Sequence, residues 1–147
     1  MIIAMLLAST IYAAPGLYPD PKLTPGKTLD VTAAIVCVPG YADKIRHVTK
    51  ATRKKVFLRY GIDWKNRAKY EVDHLVSLEL GGSNDLENLW PQPYAGVEYT
   101  ARMKDQAEDW LHRELCKGGD MTIYAAQTLI MRDWIGVYKS CCVGKEL

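Results

Sequence analysis

No C-x-x-C pair occurs among the four cysteines, Cys37, Cys116, Cys141 and Cys142, which argues against a zinc ribbon. No internal repeat is present, so a solenoid or propeller is excluded. After the first residues no apolar run approaches spanning length, so the mature chain is expected to keep clear of the membrane. No segment is biased enough in composition to read as disordered. Nothing resembles a module that reads base edges. What remains is a chain of 147 residues, which fits one domain with a real core.

The net charge of +2 conceals an uneven distribution. Between Lys44 and Lys69 stand ten basic residues and a single acid, Asp63, so the rest of the chain is net negative. That asymmetry points to a polyanionic partner. The opening MIIAMLLASTIYAAPG resembles a secretory signal peptide ending near Ala13 and Ala14, although it has no basic start. Residues 1–14 are therefore expected to be a signal peptide, 15–40 an extended segment rich in proline and glycine, and 41–147 the single domain of a secreted or periplasmic protein. In an oxidising compartment Cys37–Cys116 is the first disulfide expected. Adjacent Cys141 and Cys142 are expected not to pair with each other, and the connectivity stays open.

Periodicity predicts the elements. Asp30 to Val38 is a short helix or strand, and Thr49 to Tyr60 is a helix stopped at Gly61. Tyr70 to Leu80 reads as a strand, Gly81 to Asp85 as a loop, and Asn88 to Gln92 as a second strand stopped by Pro91 and Pro93. Met103, Ala107, Trp110, Leu111 and Leu115 form one stripe of a helix from about Thr100 to Cys116. Thr122 caps a last helix with Ile123, Ala126, Ile130, Trp134 and Val137 inward. The fold class is α+β, with two antiparallel strands, a helix after them and flanking helices.

The stretch YEVDHLVSLELGGSNDLENLWPQPY (70–94) carries Glu71, Asp73 and His74 at the start of an otherwise apolar run. Its Asp73-His74, Gly81-Gly82 and Asn88-Leu89, with His74 and Asn88 fourteen residues apart, resemble the HNH endonucleases of the ββα-metal superfamily. Close similarity covers roughly 70–92 and extends more weakly to Cys116. The resemblance implies a ββα-metal core and a metal-dependent endonuclease of low sequence specificity. His74 would be the general base and Asp73 a ligand to a divalent ion, Mg²⁺ first, with Mn²⁺ or Zn²⁺ as alternatives. Asn88 would brace the catalytic loop. Neighbouring strand residues point to opposite faces, so either the strand ends, bulges or twists at Asp73-His74, which the resemblance favours, or Glu71 and Asp73 share one face while His74 takes the other. The sequence departs from the family at Ser77, where proline is common, and in having no His or Asn between Trp90 and Leu111. Glu98 or Asp105 would then complete the metal site and Lys104 would contact phosphate.

The basic segment 44–69 would clamp nucleic acid, DNA first and RNA as an alternative, through Lys50, Arg53, Lys54, Lys55 and Arg59. Trp64 is the candidate for base stacking, although packing is the commoner fate of such a residue. Trp90, Trp110 and Trp134 read as core, His47 as solvated and His112 as an exposed helical residue. The rival readings are a non-catalytic nucleic-acid-binding protein on a degenerate HNH scaffold and an exported, disulfide-stabilised interaction protein. A monomer is expected.

Overall fold

A computed structural model of the chain describes residues 16–144, so the signal-like segment 1–14 lies outside the described residues. The fold is α+β: among the described residues, one antiparallel hairpin of two strands stands among five α-helices. Short helices α1 (Ala33–Val36) and α2 (Tyr41–Ile45) precede α3 (Lys50–Arg59). Strands β1 (Tyr70–His74) and β2 (Leu89–Pro93) follow, then α4 (Ala101–Cys116) and α5 (Ile123–Cys142).

The helices begin where side chains can cap them. Thr49 accepts from Thr52 N–H at 3.1 Å at the start of α3, and Thr122 accepts from Ala125 N–H at 3.1 Å at the start of α5. α5 is broken at Asp133, whose backbone leaves the helical region. Its carboxylate accepts from Gly136 N–H at 2.9 Å and from the Tyr18 hydroxyl at 2.7 Å. Asp133 thus caps a second helical segment inside α5, which periodicity alone does not reveal.

β1 and β2 pair in unbroken register from Tyr70↔Pro93 to His74↔Leu89. The flanking bonds Tyr94 N–H→Lys69 O and Leu75 N–H→Asn88 O set the parity of the ladder. They place Pro91 and Pro93 where the strand nitrogen faces away from β1, so neither proline ends the strand as expected. β1 is shorter than predicted. After His74 the chain enters a 3₁₀ turn at Leu78–Leu80, with Leu75, Val76, Leu78 and Leu80 all buried. Val76, Leu78 and Leu80 alternate with the less buried Ser77 and Glu79, so the turn repeats the burial period of a strand without being one.

Two apolar clusters flank the hairpin. Val76, Leu80, Leu111, Ile130 and Trp134 join α4 to α5, while Val56, Tyr60, Leu75, Leu89 and Trp90 join α3 to the hairpin. Trp90 and Trp134 are core residues as expected, and Trp110 is partly buried. Residues 17–29, with a turn at 21–23, lie outside the named elements but are packed: Leu29 N–H donates to Gly81 O, Thr24 Oγ1 donates to Leu89 O, and Trp134 Nε1 donates to Leu17 O. The Cys37–Cys116 disulfide ties α1 to the end of α4, as expected. Cys141 and Cys142, expected not to pair, are bridged to each other. They close the last turn of α5, just before the backbone leaves the helix at Val143. With the other pair made, each is the only partner left to the other.

Candidate functional site

The loop between the strands is built around Asn88, which is 0 % exposed. Its Oδ1 accepts from Val76 N–H at 2.9 Å, and its Nδ2 donates to Val76 O and to Ser83 O, each at 2.9 Å. The side-chain amide thus replaces the ladder where β1 ends. Gly82 is required beside it, because a Cβ there would lie 1.8 Å from Val76 O and 2.7 Å from Asn88 Nδ2. Gly81 adopts a left-handed φ of 81°. Asn88 therefore lies behind the site, holding the loop.

That loop carries Asn84 to His74. Asn84 Nδ2 donates to Ile45 O at 2.7 Å and Asn84 Oδ1 accepts from His47 N–H at 3.3 Å. The two contacts fix which end of the amide is oxygen. His74 Nε2 lies 3.1 Å from that same oxygen, so Nε2 must carry the proton and Nδ1 is the basic nitrogen. Among the described residues no protein group bonds Nδ1, and it is not sealed from solvent. Burial lowers the pKa of His74, with the Asn84 bond and the Asp73 charge pulling the other way. The imidazole is thus neutral at pH 7 and able to accept a proton.

His74 lines a groove of about 630 Å³ bounded by α3 and the hairpin, with Arg46, Arg53, Arg67, Trp64, Glu71 and Tyr94 along it. Of the basic residues named from sequence, Arg53 faces this groove, and Lys54 stands 5.8 Å from the Trp64 ring centroid. Lys50 and Lys55 are exposed on α3 away from the groove lining. Arg59 turns inward, donating to Leu23 O at 2.8 Å, and so fastens the N-terminal segment instead of reaching outward. Asn84, Arg46 and Arg67 were not singled out from sequence. An asparagine in a glycine-rich turn is common for turn chemistry alone, so only its second partner reveals its role.

Asp73, one residue before β1 ends, lies close enough for its charge to act on His74. It meets Lys104, expected at phosphate but in fact 0 % exposed. Lys104 Nζ lies 2.8 Å from Asp73 Oδ2 and donates to Glu108 Oε1 at 2.5 Å and to His74 O at 2.6 Å. An ammonium with three inward contacts is a structural cation, not a phosphate clamp. Burial alone would lower the Lys104 pKa, but the charges of Asp73 and Glu108 more than reverse this. Burial pushes the Glu108 carboxyl well up, opposed by Lys104.

Two further carboxylates, Glu71 and Asp105, stand within the charge field of Asp73. Burial raises the Glu71 and Asp105 carboxyls, and the negative charge of Asp73 raises both further. Asp73 Oδ2 receives no well-aligned hydrogen bond, and both amide atoms of Gln92, opposite Glu71 in the ladder, are buried without a partner. Hard carboxylate oxygens that outnumber the Lys104 cation beside them are the donor type Mg²⁺ takes. Glu98 does not belong to this group, being exposed and within the charge field of Lys139 on α5. Among the described residues only Cys37, His112 and Cys116 bring three ligand atoms within 4.8 Å of one another. Those cysteines are bonded to each other and offer no thiolate. An ion near Asp73 would therefore rest on one or two carboxylates and water, as Mg²⁺ tolerates. No family model, no curated protein and no solved structure matches the chain.

Proposed function

We propose that the protein is a metal-dependent endonuclease of the HNH type, with the hairpin and α4 as its ββα-metal core. The observation that carries this reading is a neutral histidine with a free basic nitrogen in a groove walled by arginines. Arg46, Arg53 and Arg67 hold the phosphodiester by charge, without reading sequence. His74 Nδ1 takes a proton from water as its oxygen bonds to phosphorus. The bond to the 3′ oxygen breaks, and that oxygen is protonated from solvent. Asn84 holds the imidazole in the required tautomer. A divalent ion held by Asp73 and Asp105 would supply Lewis-acid neutralisation of the phosphate charge. The two disulfides support placing the protein in an oxidising compartment, secreted or periplasmic.

The test is supercoiled plasmid incubated with Mg²⁺ or Mn²⁺. Nicking is expected, lost in EDTA and reduced at least about 100-fold in His74→Ala. Equal nicking by the variant would overturn the assignment. A second reading, a binding protein on an inert scaffold, is favoured by the Lys104 ammonium already paired with Asp73. It predicts retarded but uncut DNA.

A further inference from the structure

The groove beside His74 is aromatic as well as basic. Trp64 sits in the 3₁₀ segment after α3, its ring edge-on to Phe57 with centroids 5.3 Å apart. Arg67 and Lys54 stand 5.5 and 5.8 Å from the Trp64 centroid. Tyr94, just beyond β2, is 49 % exposed and lines the same groove, within the charge field of Arg53. Trp64 and Tyr94 are therefore two partly or largely exposed rings in a depression whose charged lining is Arg46, Arg53 and Arg67 against one acid, Glu71.

The face of an aromatic ring in such a place gains most from a polynucleotide by meeting the face of a base. In a duplex those faces are stacked on one another, and the protein meets phosphates and groove edges instead. A single strand presents both phosphates and free base faces, and cationic grooves interleaved with aromatics are how proteins hold it. A cavity of about 630 Å³ also lies in the ~300–1,000 Å³ range of clefts that enclose a small ligand, the scale of a nucleotide or two. From this charge and shape we infer that the groove binds unpaired polynucleotide, with bases stacking on Trp64 and Tyr94 and the intervening phosphate held among Arg46, Arg53 and Arg67. The cleavage step after binding rests on the nuclease reading, whose substrate is thereby narrowed to single-stranded segments.

The experiment measures fluorescence anisotropy of a labelled 20-mer of thymidine, a 20-mer of uridine and a 20-base-pair DNA duplex, all at one salt concentration and without divalent ions. Single strands are expected to bind at least tenfold more tightly than the duplex, with the thymidine and uridine arms separating DNA from RNA. Trp64→Ala and Tyr94→Ala should each weaken single-strand binding about tenfold while changing duplex binding less than twofold. Tyr94→Ala keeps the test decisive if Trp64→Ala fails to fold, since the exposed Tyr94 ring is not part of the core. Duplex binding as tight as single-strand binding, or equal loss on both substrates in Tyr94→Ala, overturns the inference. Cleavage is scored separately with Mg²⁺. Single-strand preference without cleavage supports this inference and sinks the nuclease reading. Cleavage of duplex and single strand at equal rates, indifferent to Tyr94, does the reverse.

Discussion

At the scale of single residues, the proposed chemistry turns on His74 and on Asn84, which bonds its Nε2. Because burial lowers the His74 pKa, the neutral base persists to more acid pH than a free histidine, whose pKa is ~6.5. The acid limb of nicking kcat/KM is therefore expected below that value, with a flat rate through pH 7 to 8. In the same direction, the depressed pKa contributes stability that is present above the unfolded value and lost as pH falls through the folded one. Asn84→Asp would place a carboxylate against Nε2 and raise the His74 pKa by about one unit or more. A pH–rate profile of that variant should move its acid limb upward, and an unmoved limb would remove Asn84 from the mechanism. His74 and Asn88 were legible in the sequence as candidates through their match to the HNH pattern. Asn84 was not, because its meaning lies in two backbone partners on the α2 side, Ile45 and His47, 39 and 37 residues away along the chain.

At the scale of elements, the junction of the hairpin with α4 depends on Lys104. The spacing of Lys104, Ala107, Glu108, Leu111 and Leu115 is a helical face, but periodicity counted only its apolar members. Two charged residues one turn apart on that face are legible only once Asp73 is seen opposite them. Lys104→Met leaves Asp73 and Glu108 buried without a counter-charge, and a loss of about 3 kcal/mol or more is expected in urea unfolding. Asp73→Asn keeps the Lys104–Glu108 pair and should cost about 1 kcal/mol. Equal effects of the two substitutions would show that Lys104 is not the centre of the junction. The boundary of β1 was misjudged for a related reason. An apolar run of Leu75, Val76, Leu78 and Leu80 looks the same whether it is a strand or a turn buried between two clusters.

At the scale of the whole molecule, the Cys37–Cys116 disulfide closes a loop with a sequence separation of 79. Chain entropy assigns such a crosslink up to ~4.5 kcal/mol, with typical values of ~2–4. Cys37→Ser with Cys116→Ser is therefore expected to lower unfolding stability by about 2–4 kcal/mol in a denaturant melt. A change under about 1 kcal/mol would mean that packing of 17–36 against the hairpin and α5 already holds the N-terminal half in place. The uneven charge is also a property at this scale. It was read correctly as clustered, but its direction in space was not, since Arg59 faces Leu23 while Arg46 and Arg67 face the groove.

The sequence by itself determined the hairpin followed by α4, the starts of α3 and α5, and the loop built on Gly81, Gly82 and Asn88. These rest on local rules: capping hydroxyls, the period of apolar residues, and glycines where a side chain cannot fit. Only the tertiary structure decided that Asp73 pairs with Lys104, that Glu98 lies apart, and that Asn84 sets the tautomer of His74. Each of those depends on which face of one element meets another, and packing in three dimensions selects that face after local rules have done no more than propose the element.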